Sequence, residues 1–325
     1  MARLCFARYH ADMKQTGRFR MAWVALIALG AVPAVLFGLW RYAHATNSVT
    51  LLDLADKVLA GTSGSRTVIS HASYGTDPAQ RIDVIAPEQP GPHPVLIFIH
   101  GGGWHSGAPG EYGFIGRHFA RAGYLVVLAG YRLGDAGRYP HMLEDSAAAL
   151  AWVNGNAARL GGDVDRVFVM GHSAGAYNAV MLGLEPQWLD RAGVPQGFIK
   201  GVIGLSGPYD FYPFTSDSAR NAFGHVADPR ITQPINHVRV PAPPMLLLTG
   251  DADETVKMRN SKALGAALTA AGQPTEPVVL AGVDHAGPVL KLAAPFNRDR
   301  RVLDPIIAFL TKHGQASAAV QAENR

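Results

Sequence analysis

The sequence is nearly without cysteine. Cys5 is the only one and sits in the first few residues, so the rest of the chain has no thiol for a disulfide, a cysteine-bound metal or thiol redox chemistry. Net charge is missing over most of the length as well. In residues 1–20, Arg3, Arg8, Lys14, Arg18 and Arg20 face only Asp12, a net of +4 that equals the formal charge of the whole chain. Everything after residue 20 is therefore neutral overall, and the sequence pI of about 9.2 belongs to a tail. No electrostatic case for a nucleic-acid partner remains. Disorder is excluded for most of the chain, because 48% hydrophobic residues over 325 positions are ample for a sizeable core.

Charge is absent altogether from Met21 to Trp40, an apolar run of about the 20 residues that a helix needs to cross a bilayer. The basic tail ahead of it keeps the N-terminus cytoplasmic by the positive-inside rule and places everything after Trp40 on the other side. Ala43-His44-Ala45 fits the small-x-small pattern of a signal-peptidase site, but the apolar stretch is longer than a usual signal-peptide core. A transmembrane signal anchor at 21–40 is therefore expected. The alternative is a secreted or periplasmic protein cleaved near Ala45.

Beyond residue 40 a linker with one short amphipathic helix, Leu51 to Leu59, is expected to reach Ser65. Strand-like runs then alternate with helical patterns. The strand candidates are Thr67 to Ala72, Ile82 to Ala86, Val95 to Ile99, Tyr124 to Leu128, Val167 to Met170, Ile199 to Leu205, Met245 to Leu248 and Pro277 to Leu280. The helical patterns are Tyr112 to Arg121, Met142 to Arg159, Ala174 to Leu184, Lys257 to Ala271 and Val302 to His313. From Val95 onward the strand runs are almost wholly apolar, as strands covered on both faces must be. The alternation predicts an α/β domain over 66–314, with one core and a mostly parallel eight-stranded sheet flanked by helices. Residues 207–244 are too long for a plain crossover, are rich in Pro, Phe, Tyr and Asp, and read as a small cap insertion. Residues 315–325 have no apolar face to bury and read as a frayed tail.

Two glycine-rich segments stand at strand ends. Gly171-His172-Ser173-Ala174-Gly175 follows the run Arg166 to Met170 and has the form of a nucleophile elbow, in which small neighbours let a serine occupy a strained strand-to-helix turn. His100-Gly101-Gly102-Gly103-Trp104 follows Val95 to Ile99 and has the form of a loop whose bare backbone N–H groups approach a developing oxyanion. A serine hydroxyl is a poor nucleophile at neutral pH, so Ser173 needs a histidine base, and that base needs a carboxylate. Of thirteen histidines, His285 follows the last strand candidate in a loop that can reach the carboxyl edge of the sheet. His100 and His172 belong to the glycine motifs and are read as structural. Thr249-Gly250-Asp251-Ala252-Asp253-Glu254 offers three carboxylates after a strand. Asp253 is chosen, because Asp251 directly follows the glycine and is placed to cap the turn; Asp251 stays the rival. Trp104, Tyr209, Phe211, Tyr212 and Phe214 are candidates to line an acyl or aryl pocket, with ordinary packing of the cap as the alternative.

The chain order Ser173, Asp253, His285 is that of the α/β-hydrolases. With it go Tyr74-Gly75, Gln80 to Val84, Gly130-Tyr131-Arg132-Leu133, Tyr139-Pro140 and Glu144-Asp145. From about Tyr74 to the last helix the chain resembles an α/β-hydrolase carboxylesterase with an H-G-G-G-W loop, similar to the hormone-sensitive-lipase-like esterases, the bacterial feruloyl and acetyl esterases and the kynurenine formamidases. The resemblance implies that the N–H groups of Gly102, Gly103 and Ala174 form the oxyanion hole. It also implies a serine hydrolase acting on small carboxylic esters through an acyl-enzyme, with no metal or organic cofactor needed. An amidase, formamidase or peptidase using the same triad is the alternative among enzymes. A non-catalytic membrane-tethered scaffold of this fold is the alternative outside them.

Overall fold

Aliphatic and β-branched runs form the eight strands, and they pair in the order β1-β2-β4-β3-β5-β6-β7-β8. The strands are β1 (Ser65–Ser73), β2 (Arg81–Pro87), β3 (His93–Ile99), β4 (Leu125–Ala129), β5 (Gly162–His172), β6 (Ile199–Leu205), β7 (Met245–Gly250) and β8 (Val278–Leu280). Pairs β1/β2 and β2/β4 are antiparallel and all the others parallel. Among the described residues, the α-helices of seven or more residues are α1 (Val49–Ala60), α2 (Gly113–Arg121), α3 (His141–Asn156), α4 (Ala174–Leu184), α5 (Asp217–Phe223), α6 (Arg259–Ala270) and α7 (Arg300–Glu323). This is a computed structural model, and it describes residues 37–38, 49–294 and 296–323.

The expected strands and helices are all present, with ends that differ by a few residues. Two expectations are changed. First, α7 continues to Glu323, so the helix includes most of the segment read as a frayed tail. Second, residues from Leu52 onward belong to the same compact unit as the sheet. The segment read as a linker therefore contributes a helix with buried Leu52, Asp53 and Asp56. Residues 207–244, read as a cap insertion, contain α5 and two 3-10 turns, Pro229–Thr232 and Pro234–His237. The expected membrane span at 21–40 lies outside the described residues except for 37–38. No helix among the described residues is long and apolar enough to cross a membrane.

The sheet is covered on both faces, as its apolar runs require. Val95, Ile97 and Ile99 of β3 pack into one cluster with Val167 and Val169 of β5 and with the buried side of α3 and α4. Phe98, of opposite parity, meets Tyr112 at the start of α2, with ring centroids 5.1 Å apart. Strand order reverses at β3, because the chain leaves β3 for β4 on one side and comes back as β5 on the other. A crevice at the carboxyl ends of the strands is expected at such a reversal. Ile99 pairs with Gly171 and His172 with Leu205, so the loops after β3, β5 and β6 start at one level.

α1 is held by charge. Arg117 of α2 donates from Nε and Nη2 to Asp56 (3.0 and 2.6 Å) and from Nη2 to Asp53 (2.9 Å). All three side chains are at most 7% exposed. Asp56 also accepts the amide of Ala294 at 2.9 Å. Asp53 keeps Lys57 at 2.9 Å, but removing Arg117 leaves the buried Asp56 carboxylate without its cation, so Arg117→Met is expected to cost about 3–5 kcal/mol. Urea unfolding of the variant measures this, and a loss below about 1 kcal/mol, the range of exposed pairs, would mean that the cluster does not hold the helix.

β3 and β5 each lead into a buried histidine. His100 donates from Nδ1 to the Gly101 carbonyl at 2.7 Å and stacks on Tyr131, centroids 4.7 Å apart. Burial holds its imidazole down to about 4. Burial, and then the neighbouring His285, hold His172 down to about 3. The unfolded chain takes up these protons near the ordinary value of about 6.5, so between there and the folded values it binds more protons than the native state. Stability is therefore expected to fall as pH drops below about 6.5, by at most about 1.4 kcal/mol per pH unit for each histidine. Unfolding free energies measured at pH 7, 6 and 5 should show this slope, and His100→Gln should flatten it; an unchanged slope in the variant contradicts the neutral, buried His100.

Candidate active site

Ser173 sits between β5 and α4 with φ 53° and ψ −119°, a conformation disfavoured for a residue with a Cβ. Its amide donates to the Leu205 carbonyl at 2.8 Å, and its own carbonyl accepts from Ala176 and Tyr177 at 3.0 and 3.1 Å. The turn closes only because its flanks are bare. A methyl on Gly171 would lie 2.2 Å from the Gly175 oxygen, and one on Gly175 would lie 2.1 Å from the oxygen of Ile99. The glycines of the strand-to-helix turn read as an elbow are therefore sterically obligatory.

His285 reaches Ser173 from the loop after β8. Its Nε2 is 2.8 Å from Ser173 Oγ and its Nδ1 is 2.8 Å from Asp253 Oδ2. Asp253 is fully buried and His285 is 21% exposed at the side chain. The second Asp253 oxygen accepts the amides of Thr255 and Val256 at 3.0 and 2.8 Å. Burial alone would push this carboxyl up. The bond and charge of His285 and the two amides outweigh it, leaving the group below its ordinary value and ionised at neutral pH. A fixed carboxylate at Nδ1 holds the proton there and leaves Nε2 free to accept from Ser173.

The rival carboxylates are used elsewhere. Asp251 accepts the amide of Gly282 at 2.7 Å, which clamps the turn after β7 to the loop that carries His285. Glu254 pairs with Lys257. His172, read as structural, also has a part in the site: its Nε2 donates to the carbonyl of His285 at 3.0 Å and so fixes the backbone that presents the base.

The glycine loop after β3 lies against the elbow, since a methyl on Gly101 would come within 3.2 Å of Ser173 Cβ. Gly102, Gly103 and Trp104 all have positive φ, at 111°, 58° and 61°. Their carbonyl partners explain the shape. The Gly102 oxygen accepts from the amides of His105 and Ser106 at 3.1 Å each, and the Trp104 oxygen accepts from Gly134 at 2.8 Å. The amides of Gly102, Gly103 and Ala174 donate to none of the described residues. Ala174 is the first residue of α4, where the N–H groups have no partner within the helix and the macrodipole is positive. Unused backbone donors of this kind are what a developing negative charge requires.

The pocket candidates divide. Trp104 is 5% exposed and packs against residues of the 207–244 segment: its ring is edge-on to Phe223 at 4.8 Å and stacked on Phe211 at 6.2 Å. Phe214 joins the same group, 5.6 Å from Phe211 and 5.7 Å from Phe223. Tyr209 is fully buried with its hydroxyl against Gly204 and Gly207, so it packs into the core beside β6. Tyr212 is 53% exposed, with only its edge against Phe214. Two residues of the group, Tyr177 and Phe223, carry no signal in the sequence beyond being aromatic.

With this geometry in view, relatives can be compared. The sequence model of the BD-FAE family matches residues 82–268. Esterase LipC of Mycobacterium tuberculosis is 29% identical over 211 residues, which cover 58% of this chain and 52% of that protein. Isoprenylcysteine alpha-carbonyl methylesterase ICME of Arabidopsis thaliana is 28% identical over 243 residues, 68% of this chain and 57% of that one. The chain thus spans about half the length of these curated relatives. Esterase B of Lactobacillus rhamnosis superposes with a TM-score of 0.70 at 20% identity, over 90% of this chain and 99% of that one. At that identity the likeness establishes a shared α/β-hydrolase fold. The family match covers more than half of the sequence, from β2 into α6 and through the glycine loop, the elbow and Asp253, and on it this chain belongs to the BD-FAE family.

Proposed function

We propose that the protein is a serine hydrolase that cleaves small carboxylic esters through an acyl-enzyme. The observation that carries this reading is the unbroken chain from Ser173 Oγ through His285 to a buried, ionised Asp253, set beside three unused amides. Membership of the BD-FAE family and likeness to proteins named as esterases support it.

In the proposed reaction His285 Nε2 takes the Ser173 proton as Oγ attacks the ester carbonyl. The carbonyl oxygen becomes negative and is held by the amides of Gly102, Gly103 and Ala174. The tetrahedral species collapses as the imidazolium hands its proton to the leaving alkoxide, and Asp253 stabilises the charge on His285 in between. Water then attacks the acyl-enzyme with the same base and the same amides, and releases the acid. The packing of Trp104, Phe211, Phe214 and Phe223 at the glycine loop supports an apolar acyl or aryl group near the carbonyl.

We also propose that Met21 to Trp40 tethers the chain to a membrane with the catalytic unit on the far side from the cytoplasm. The uncharged run and the basic residues ahead of it support this.

One experiment addresses both readings. Cells making the full chain are treated with a membrane-impermeant fluorophosphonate, and ester turnover is measured on the recovered protein. Labelling is expected in the membrane fraction and lost in Ser173→Ala. His285→Ala is expected to abolish most turnover, and Asp253→Asn to lower kcat by about 10⁴, while Asp251→Asn loses far less. Labelling that survives in Ser173→Ala, or an Asp251 variant more damaged than the Asp253 one, overturns the site. Label found only in the soluble fraction overturns the tether and leaves the hydrolase reading intact.

A further inference from the structure

Three consecutive residues of the glycine loop hold positive φ, and the last of them is not a glycine. Gly102 and Gly103 adopt 111° and 58° at no steric cost, but Trp104 at 61° is held in a region that a side chain disfavours. Outside the loop the Gly134 amide holds the Trp104 carbonyl at 2.8 Å, and the side chain has to be held as well, because the direction of the Gly102 and Gly103 amides depends on how that residue is placed. The Trp104 indole is buried, and its surroundings identify the restraint on the side chain. Tyr177, Phe211 and Phe223 give it ring contacts, which resist collapse but not sliding or rotation in the plane. Its one directional contact among the described residues is the bond from Nε1 to Asn178 Oδ1 at 3.3 Å.

We propose that Asn178 is a positioning residue for the oxyanion loop, acting through the Trp104 indole; this rests on the hydrolase reading above. Asn178 is fully buried on α4. Its other amide atom, Nδ2, donates to Ser146 Oγ at 3.1 Å and to the Met142 carbonyl at 3.5 Å, both on α3. Ser146 Oγ donates its own proton to that Met142 carbonyl at 2.7 Å, so it can only accept from Asn178. The carboxamide therefore cannot be turned over: reversed, its NH2 would face the indole N–H and its oxygen would face a carbonyl. A leucine would fill the same space without burying a polar group, which would cost free energy unless all its bonds were made. Here they are made, and they converge on the indole.

The consequence is a closed frame. α4 carries the third oxyanion donor in its first residue, follows directly on the nucleophile, and one turn further holds the tether for the loop that supplies the other two donors. All three amides and Ser173 Oγ are thus referenced to one helix, and preorganised donors of this kind do not have to reorient as charge develops.

The test is steady-state kinetics of the full-length protein with a small chromogenic ester, for Trp104→Phe, Asn178→Leu, the double variant and Ser146→Ala. Trp104→Phe removes the donor and keeps a ring, and it carries the test if Asn178→Leu does not fold. Each of the first two is expected to lower kcat by about 10- to 100-fold, the scale of a misplaced oxyanion donor, with KM and the acid limb of the pH profile unchanged. The double variant should be no worse than the poorer single one, and Ser146→Ala should show a smaller loss in the same direction. Losses that multiply in the double variant, or a lowered melting temperature with unchanged kcat, would overturn the proposal. Ester turnover that survives in Ser173→Ala would instead mean that the hydrolase reading has failed.

Discussion

The active site depends on two stretches of backbone lying in contact. The carbonyls of Ile99 and His100, at the end of β3, face the start of α4 so closely that a methyl on Gly175 would lie 2.1 and 2.5 Å from their oxygens. Only a chain without side chains at that place can bring the loop after β3 against the elbow after β5. The sheet supplies the rest of the condition. β3 and β5 are parallel neighbours in register, and strand order reverses between them, so both loops leave the same edge into the same crevice.

The base and its carboxylate reach this edge by a second pairing, of β7 with β8. Asp251 and Ala252 donate from their amides to Leu280 and Val283 at 3.2 Å each, and the Asp251 side chain holds Gly282. These bonds tie the turn after β7 to the loop of His285 and leave Asp253, two residues on, facing the imidazole. His172, inside the elbow, closes the connection by holding the carbonyl of His285. These clamps between strand ends hold Ser173, His285 and Asp253 within hydrogen-bond reach of one another, the set proposed above to carry the chemistry. Burial makes the arrangement one-sided electrostatically. It drives His172 and His100 neutral, while Asp253 remains charged because hydrogen bonds to its anion outweigh the cost of desolvation.

Much of this was legible in the sequence, because it rests on local rules. Fully apolar runs marked the buried parallel strands, glycine at fixed offsets marked the elbow and the loop, and the position of Asp253 and His285 just after strands singled them out from other carboxylates and histidines. What was hidden depends on contacts between distant segments. An amphipathic pattern over Leu51 to Leu59 suggested an ordinary apolar face, yet the helix buries Asp53 and Asp56, whose partner Arg117 lies about sixty residues further on. Every residue of α4 is buried, so periodicity could not mark Asn178 or Tyr177 as facing the glycine loop. Tyr209 looked like a pocket residue from its neighbours in the sequence, whereas the space left by Gly204 and Gly207 draws its ring into the core.

The convergence of Ser173, His285 and the three amides on one point is tested most directly by a crystal structure of the protein inactivated with a short-chain phosphonate ester. Phosphorus bonded to Ser173 Oγ is expected, with the phosphoryl oxygen about 2.7–3.1 Å from the amides of Gly102, Gly103 and Ala174. An adduct on another residue, or a phosphoryl oxygen turned to solvent with those amides unused, would contradict the site described.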